Sequence, residues 1–391
     1  MFVLLLLFYS SKPTPAYAEI ARGLRARGHR VWVGQPSPDG AFVFLDGERE
    51  AARLAGPERG FASRRDLPGF MLNLRRFLAT LSPDVVQVTP APWSWMAATG
   101  LPSDIAVLND IRTAGAGAGY GWKARLVDSS AWMSWRAGAQ WLFDRTLFLN
   151  ETGARWLLGP SWADRADVVP LGVTDAFLAH AAPDRPRQPA AAVRFVYLGT
   201  ISLDRHLDRV LLAVHRLRSQ TAAFSVSLLG PDDGATGRHR VGELIERHEL
   251  QRHVRMLDPV PYVDVPDAML QFDVALNYVP ATRVQRRQTF LKVLECRALG
   301  LPQITTLTGP NTAVVLDGEN GLLVRDDPDA YANAMRSLVQ DPSKLDRLRI
   351  RARELRSGTT WTEVAARYET VYEATANARR PRHPAFGHET P

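Results

Sequence analysis

The sequence has 391 residues, 46% hydrophobic and 23% charged, with a formal net charge of +7. The length leaves room for two domains of about 180 residues each, and the composition is ordinary for a globular protein. A single cysteine, Cys296, excludes an intrachain disulfide framework and fits a reducing compartment. Arginine supplies nearly all the cations; lysine occurs only at Lys12, Lys123, Lys292 and Lys344. The charge excess favours anionic partners, namely nucleotide phosphates, pyrophosphate-linked lipids or an acidic membrane surface. Nucleic acid is not expected, because no basic-aromatic motif of a known reader is present.

In chain order, Met1–Tyr9 (MFVLLLLFY) lacks a basic leader and is too short to span a bilayer. It reads as a buried first strand, not a signal peptide, although Ala16-Tyr17-Ala18 has the form of a cleavage site. A loop with two prolines follows, then an amphipathic helix over Tyr17–Arg27 stopped by Gly28, and a strand over His29–Val33. This βαβ unit predicts a doubly wound sheet with ligands at the carboxyl ends of its strands, which places Ser11, Lys12 and Thr14 where function belongs. The spacing predicts a helix over Phe70–Leu81 and strands over Asp84–Val88 and Ile105–Leu108. It also predicts a helical region over Leu126–Phe148 and a short strand and turn over Val168–Val173. Trp93 and Trp95 follow the Asp84–Val88 strand; core packing accounts for most tryptophans, and stacking on a sugar acceptor or contact with lipid is the other reading of these two. Residues 181–193, rich in Pro, Ala, Arg and Asp, read as a linker.

The second half starts again with a strand, Phe195–Leu198, followed by Gly199-Thr200. Helices over Asp208–Arg218, Val241–His248 and Val265–Gln271 alternate with strands over Phe224–Leu229, Val254–Leu257 and Val274–Tyr278. Thr289–Val324 then reads as helix, Gly300 stop, buried strand, Gly turn, second turn and apolar strand. Further helices cover Pro328–Gln340, Pro342–Arg356 and Thr362 to about Ala376, and the residues after Asn377 form a polar, disordered tail. Lys292 and Glu295, three apart, share one side of a helix near its N-terminus. They are either an exposed ion pair, or a lysine that meets phosphate at an anion-binding helix start with a carboxylate that accepts sugar hydroxyls.

The unbroken order Lys292-x-x-Glu295, Ala298-x-Gly300-x-Pro302, strand, Gly turn and Asn320-Gly321-Leu322-Leu323-Val324 resembles the donor half of GT-B glycosyltransferases, in particular retaining glycosyltransferase family four. The resemblance covers about residues 1–375. It implies two facing Rossmann-like, doubly wound parallel-sheet domains with a cleft between them. The acceptor-side domain would be 1–180 and the nucleotide-sugar-binding domain 194–361, with a helix over 362–376 packing back on the first domain and a tail over 377–391. By the same resemblance Glu295 meets the ribose, Lys292 and Arg205 grip the donor diphosphate beside Gly199 and Thr200, and the N–H groups of Gln288, Thr289 and Phe290 meet the transferred sugar. For Arg205 a solvated helix-start arginine is the other reading.

Three positions depart from the family pattern. The first acid of its Glu-x7-Glu pair falls on Arg287, Thr200 replaces an arginine, and Asp110-Ile111-Arg112 stands where relatives carry Asp-x-His. Arg112 then either stabilises diphosphate charge or simply pairs with Asp110. No metal or cofactor is expected: Asp232-Asp233 reads as a turn and Asp326–Asp329 as a helix cap. The expected activity is a metal-independent, retaining transfer from a nucleotide-sugar to a hydroxyl of a glycan, lipid-linked sugar or small molecule. The expected setting is the cytoplasm, with peripheral contact at an anionic membrane. A catalytically silent subunit, or an epimerase or hydrolase on the same fold, are the alternatives.

Overall fold

The apolar run at the start of the chain is a central strand. In the computed structural model, which describes residues 1–8, 15–58, 61, 66–89, 94–112, 133, 136–182, 192–232, 237–282 and 285–379, Phe2–Leu6 (β1) lies between Arg30–Pro36 (β2) and Val85–Val88 (β5), parallel to both. Val3 to Leu6 are fully buried, as a strand covered on both faces requires. Ala106–Ile111 (β6), Arg145–Phe148 (β7) and Ala166–Val168 (β8) extend the sheet in parallel. Phe42–Asp46 (β3) and Arg49–Leu54 (β4) add an antiparallel hairpin at the other edge, so the sheet order is β4-β3-β2-β1-β5-β6-β7-β8. The purely parallel first sheet expected from the sequence is therefore mixed. Gly40 and Gly47, at φ 87° and 66°, make the two reversals that return the hairpin to β2.

The helix Leu67–Leu81 buries Phe70, Met71, Leu74 and Leu78 on one face of this sheet, against Phe42 and Phe44. The helices Pro15–Ala26 and Trp361–Arg379 pack on each other so closely that a Cβ at Gly23 would sit 2.6 Å from that of Ala365. Trp361–Arg379 thus belongs to this first unit, with residues up to 112 and 133–170. Arg145–Phe148 is a strand, not the end of a helix. The Asp144 carboxylate accepts the Val107 N–H at 2.8 Å and pins the start of β7 beside β6.

Residues 171–360 form the second unit. Its division from the first precedes the expected linker, because the helix Asp175–Ala179 buries Phe177 among Met269, Cys296 and Leu299 of the second core. Six parallel strands run in the order Val254–Leu257 (β11), Phe224–Leu229 (β10), Val193–Leu198 (β9), Val274–Asn277 (β12), Gln303–Thr306 (β13) and Gly321–Val324 (β14). Helices Leu207–Arg218 and Pro328–Gln340 cover one face over Phe195, Val226 and Leu276. The helix Leu291–Leu299 covers the other. No described helix is long and apolar enough to cross a membrane, and no described group of three or more His, Cys, Asp or Glu is arranged to hold a metal ion.

Candidate functional site

In the second sheet the connections run one way from β9 to β10 and the other way to β12, which opens a switch point between the carboxyl ends of β9 and β12. The β9 side of it is built from bare, bent backbone. Beyond β9 the chain passes through Gly199 at φ 141°, where a Cβ would lie 3.2 Å from the Tyr197 hydroxyl. Gly230, after β10, approaches so closely that a Cβ there would overlap the Gly199 carbonyl. Bare backbone at a strand end lets a ligand come close.

Lys292 lies across this gap. Its Nζ sits 4.6 Å from the centroid of the Tyr197 ring of β9 and donates to the Tyr278 carbonyl beyond β12 at 3.3 Å. Burial pushes its pKa down to about 8. Arg205 ends the 3-10 turn Leu203–Arg205 after β9 and is exposed, near enough to act electrostatically on both Tyr197 and Lys292. Two cations thus meet at the carboxyl end of β9. Phe290, the N-cap of the helix Leu291–Leu299, has no side-chain group to cap it, and the Val293 N–H turns back to the Phe290 carbonyl at 3.1 Å.

Glu295, one turn further on, is 3% exposed. Its Oε1 accepts the Tyr262 hydroxyl at 2.5 Å, and burial raises its pKa to about 7. Beneath the helix, Asn277 Nδ2 donates to Gln303 Oε1 at 2.7 Å and to Cys296 Sγ at 3.2 Å, while Gln303 Nε2 donates to the Val293 carbonyl at 3.0 Å. This buried amide floor fixes the helix on the sheet. Cys296 is part of that floor, its thiol pushed up to about 12 by burial, and is inert as a nucleophile.

The two charged groups imply a pH profile. Below about 8 Lys292 is a cation; above it the charge is lost. Glu295 is ionised, and the stronger hydroxyl acceptor, only above about 7. Affinity for a nucleotide-sugar, whose diester phosphates do not titrate in this range, should therefore rise through about pH 7 and fall through about pH 8, both limbs belonging to the pair. Calorimetry over about pH 6–10 checks this; a flat profile would remove both groups from the ligand.

The other expected site residues divide. Gly199, Thr200, Arg205, Lys292 and Glu295 come together around the β9 and β12 ends. Gln288 does not offer a free N–H: it is spent on the Gln285 carbonyl at 3.1 Å, closing the 3-10 turn Gln285–Arg287. Thr289 and Phe290 lie between that turn and the helix. Arg112 is no diphosphate ligand in this geometry. It is 4% exposed, and its Nε donates to Asp110 Oδ2 at 3.1 Å and to the Tyr368 hydroxyl. Its Nη2 donates to the Val169 carbonyl at 3.2 Å. Asp110, 1% exposed, also accepts from Gln87 Nε2 at 2.8 Å and Tyr368 at 2.6 Å. The pair is an internal clasp between β6 and the helix Trp361–Arg379. Trp95 starts the short helix Trp95–Ala98 and packs, half-buried, on the core under Leu67–Leu81. Ser11, Lys12, Thr14 and Trp93 lie outside the described residues. Sequence reasoning missed Tyr197, Tyr262 and Tyr278. Their one signal was a tyrosine next to a strand end or at a turn.

The fold is shared with known structures. The sucrose-phosphate synthase of Thermosynechococcus elongatus superposes with a TM-score of 0.70 at 16% identity, covering 96% of this chain and 99% of that one. HepE of Anabaena, solved in complex with UDP-glucose, gives 0.69 at 13%, covering 96% and 100%. The fold is that of GT-B glycosyltransferases. Residues 184–355 match the family model Glycosyl transferases group 1, in agreement with the resemblance read from Lys292–Val324. Among curated relatives, D-inositol 3-phosphate glycosyltransferase 1 of Catenulispora acidiphila is 32% identical over 135 residues, 34% of this chain and 31% of its own length. The D-inositol 3-phosphate glycosyltransferase of Kineococcus radiotolerans is 30% identical over 259 residues, 60% of this chain and 58% of its own. The matches thus span between about a third and three fifths of these relatives.

Proposed function

We propose that the chain is a glycosyltransferase that moves a sugar from a nucleotide-sugar to a hydroxyl of a glycan, lipid-linked sugar or small molecule, with retention and without a metal ion. The observation that carries this reading is the Lys292 ammonium held between the Tyr197 ring and the Tyr278 carbonyl, across the switch point of a parallel sheet. In the step proposed, the bond from the anomeric carbon to the diphosphate oxygen breaks with its electron pair staying on that oxygen. The acceptor hydroxyl bonds to the same face of the carbon, and its proton passes to the departing diphosphate. Lys292 and Arg205 balance the charge that builds there. The acceptor panel includes D-inositol 3-phosphate, for which the curated relatives are named. The reading places the reaction in the cytoplasm, with peripheral contact at an anionic membrane where the acceptor is lipid-linked.

The test is incubation with UDP-, GDP- and ADP-sugars and the acceptor panel, measuring nucleotide release and the anomeric configuration of the product. Release is expected with one base, and EDTA should leave the rate unchanged because the two side-chain cations do the work of a metal. Binding without release would favour the silent-subunit reading, which Arg287 in place of an acid keeps in view. Turnover lost in EDTA and restored by Mg²⁺ or Mn²⁺ would overturn the metal-free step.

A further inference from the structure

Asp326 stands apart from the acidic run it belongs to. Asp327 caps the helix Pro328–Gln340, its carboxylate accepting from the N–H groups of Asp329 and Ala330. Asp326 does not share that task. Its carboxylate accepts the Tyr278 hydroxyl, and its Oδ2 accepts the Ala281 N–H at 2.8 Å. It lies two residues past β14, whereas Tyr278 directly follows β12, so the contact reaches over the exit of β13 that separates them. The reach is well supported. The Tyr278 ring rests on that of Tyr331, centroids 5.4 Å apart, and Tyr331 donates to the Ile304 carbonyl of β13 at 2.8 Å. The Val279 N–H donates to Thr306 Oγ1, also of β13, at 3.1 Å. Tyr278 is thus fixed from two ends. Asp326 holds its hydroxyl, and its carbonyl is the acceptor for Lys292 Nζ.

We propose that Asp326 is a positioning residue for the donor site. By clamping Tyr278 and the Ala281 N–H it fixes the carbonyl on which the Lys292 ammonium rests and the start of the loop leading to the helix Leu291–Leu299. The inference rests on the reading of Lys292 as a diphosphate clamp. A strand-end carbonyl that moves by a fraction of an ångström moves the cation it holds, and a loosely held charge stabilises its ligand less. Asp326 itself touches no ligand in this account. The groups that face Lys292 directly are the Tyr197 ring, Arg205, and Glu295 and Cys296 of its own helix.

A double-mutant cycle tests this on the full chain, by calorimetry with UDP, GDP and ADP. Asp326→Ala and Tyr278→Phe should each weaken binding of the nucleotide that binds the parent by about tenfold, and neither should weaken it further in a Lys292→Ala background. Asp326→Asn should recover part of the loss, since its amide oxygen can still accept the Ala281 N–H. Tyr278→Phe keeps the ring packing and deletes only the hydroxyl, so it reports even if Asp326→Ala melts early. Full additivity with Lys292→Ala, or parent affinity in both single variants, would overturn the positioning role and leave the proposed function standing. Failure of all three nucleotides to bind the parent would overturn both.

Discussion

Lys292→Ala should lower kcat by about 10²-fold or more at saturating donor, the scale of deleting one preorganised electrostatic group. Negative charge on the departing diphosphate is larger in the transition state than in the bound donor, so a cation fixed at that point lowers the barrier more than it tightens binding. The lysine is fixed at both ends of the gap it spans, by the Tyr197 ring and the Tyr278 carbonyl, and needs little reorganisation when charge develops. Lys292→Arg should restore only part of the rate, because a planar guanidinium cannot occupy the same point over Tyr197 and still meet the carbonyl. The fold should survive, since the helix stays anchored by Val293, Cys296, Ala298 and Leu299, which the substitution leaves in place. Steady-state rates and a melting curve on each variant check this. A Lys292→Ala enzyme turning over at the parent rate would mean that the diphosphate lies elsewhere.

Asp110→Ala should be the most damaging single change in the first unit, costing about 3–5 kcal/mol, the scale of stranding one member of a buried ion pair. Asp110 accepts from Gln87, Arg112 and Tyr368, and all of these are buried. Without it the Arg112 guanidinium keeps the Tyr368 hydroxyl and the Val169 carbonyl but has no counter-charge. Its Nη1 already has no partner among the described residues. Denaturant unfolding measures the loss. Nucleotide affinity, which belongs to the other unit, should stay at the parent value in conditions where the variant is folded. A stability change under about 1 kcal/mol would show that the clasp carries little.

What the sequence made legible follows a physical line. Continuous apolar runs such as Val3–Leu6 and Phe195–Leu198 identify buried parallel strands wherever they occur, because burial on both faces leaves no room for alternation. The hairpin Phe42–Leu54 escaped notice: β4 is polar and mostly exposed, so the pattern there is faint. Lys292 and Glu295 could be read because both sit on one helix, and their spacing is a local property. Tyr262, Tyr278 and Asp326 could not, since what joins them to that helix is the order of strands in a sheet, which spacing does not encode. Asp110 and Arg112 mark the limit from the other side. The dipeptide spacing allowed either a ligand site or an ion pair, and the choice was made by a helix 256 residues further along, whose Tyr368 closes over both.

The first unit is assembled from the two ends of the chain, and this sets a timetable. Its strands leave the ribosome early, yet the helix Trp361–Arg379 that covers Tyr17, Gln87 and Asp110 is made after the whole of residues 171–360. The described strands of the second unit all lie between residues 193 and 324, so every one of them is made before that helix exists. Synthesis therefore reverses the usual order in which the leading domain folds first. The nascent first sheet waits with the Asp110–Arg112 pair, Gln87 and Tyr17 uncovered until the helix Trp361–Arg379 emerges to close over them.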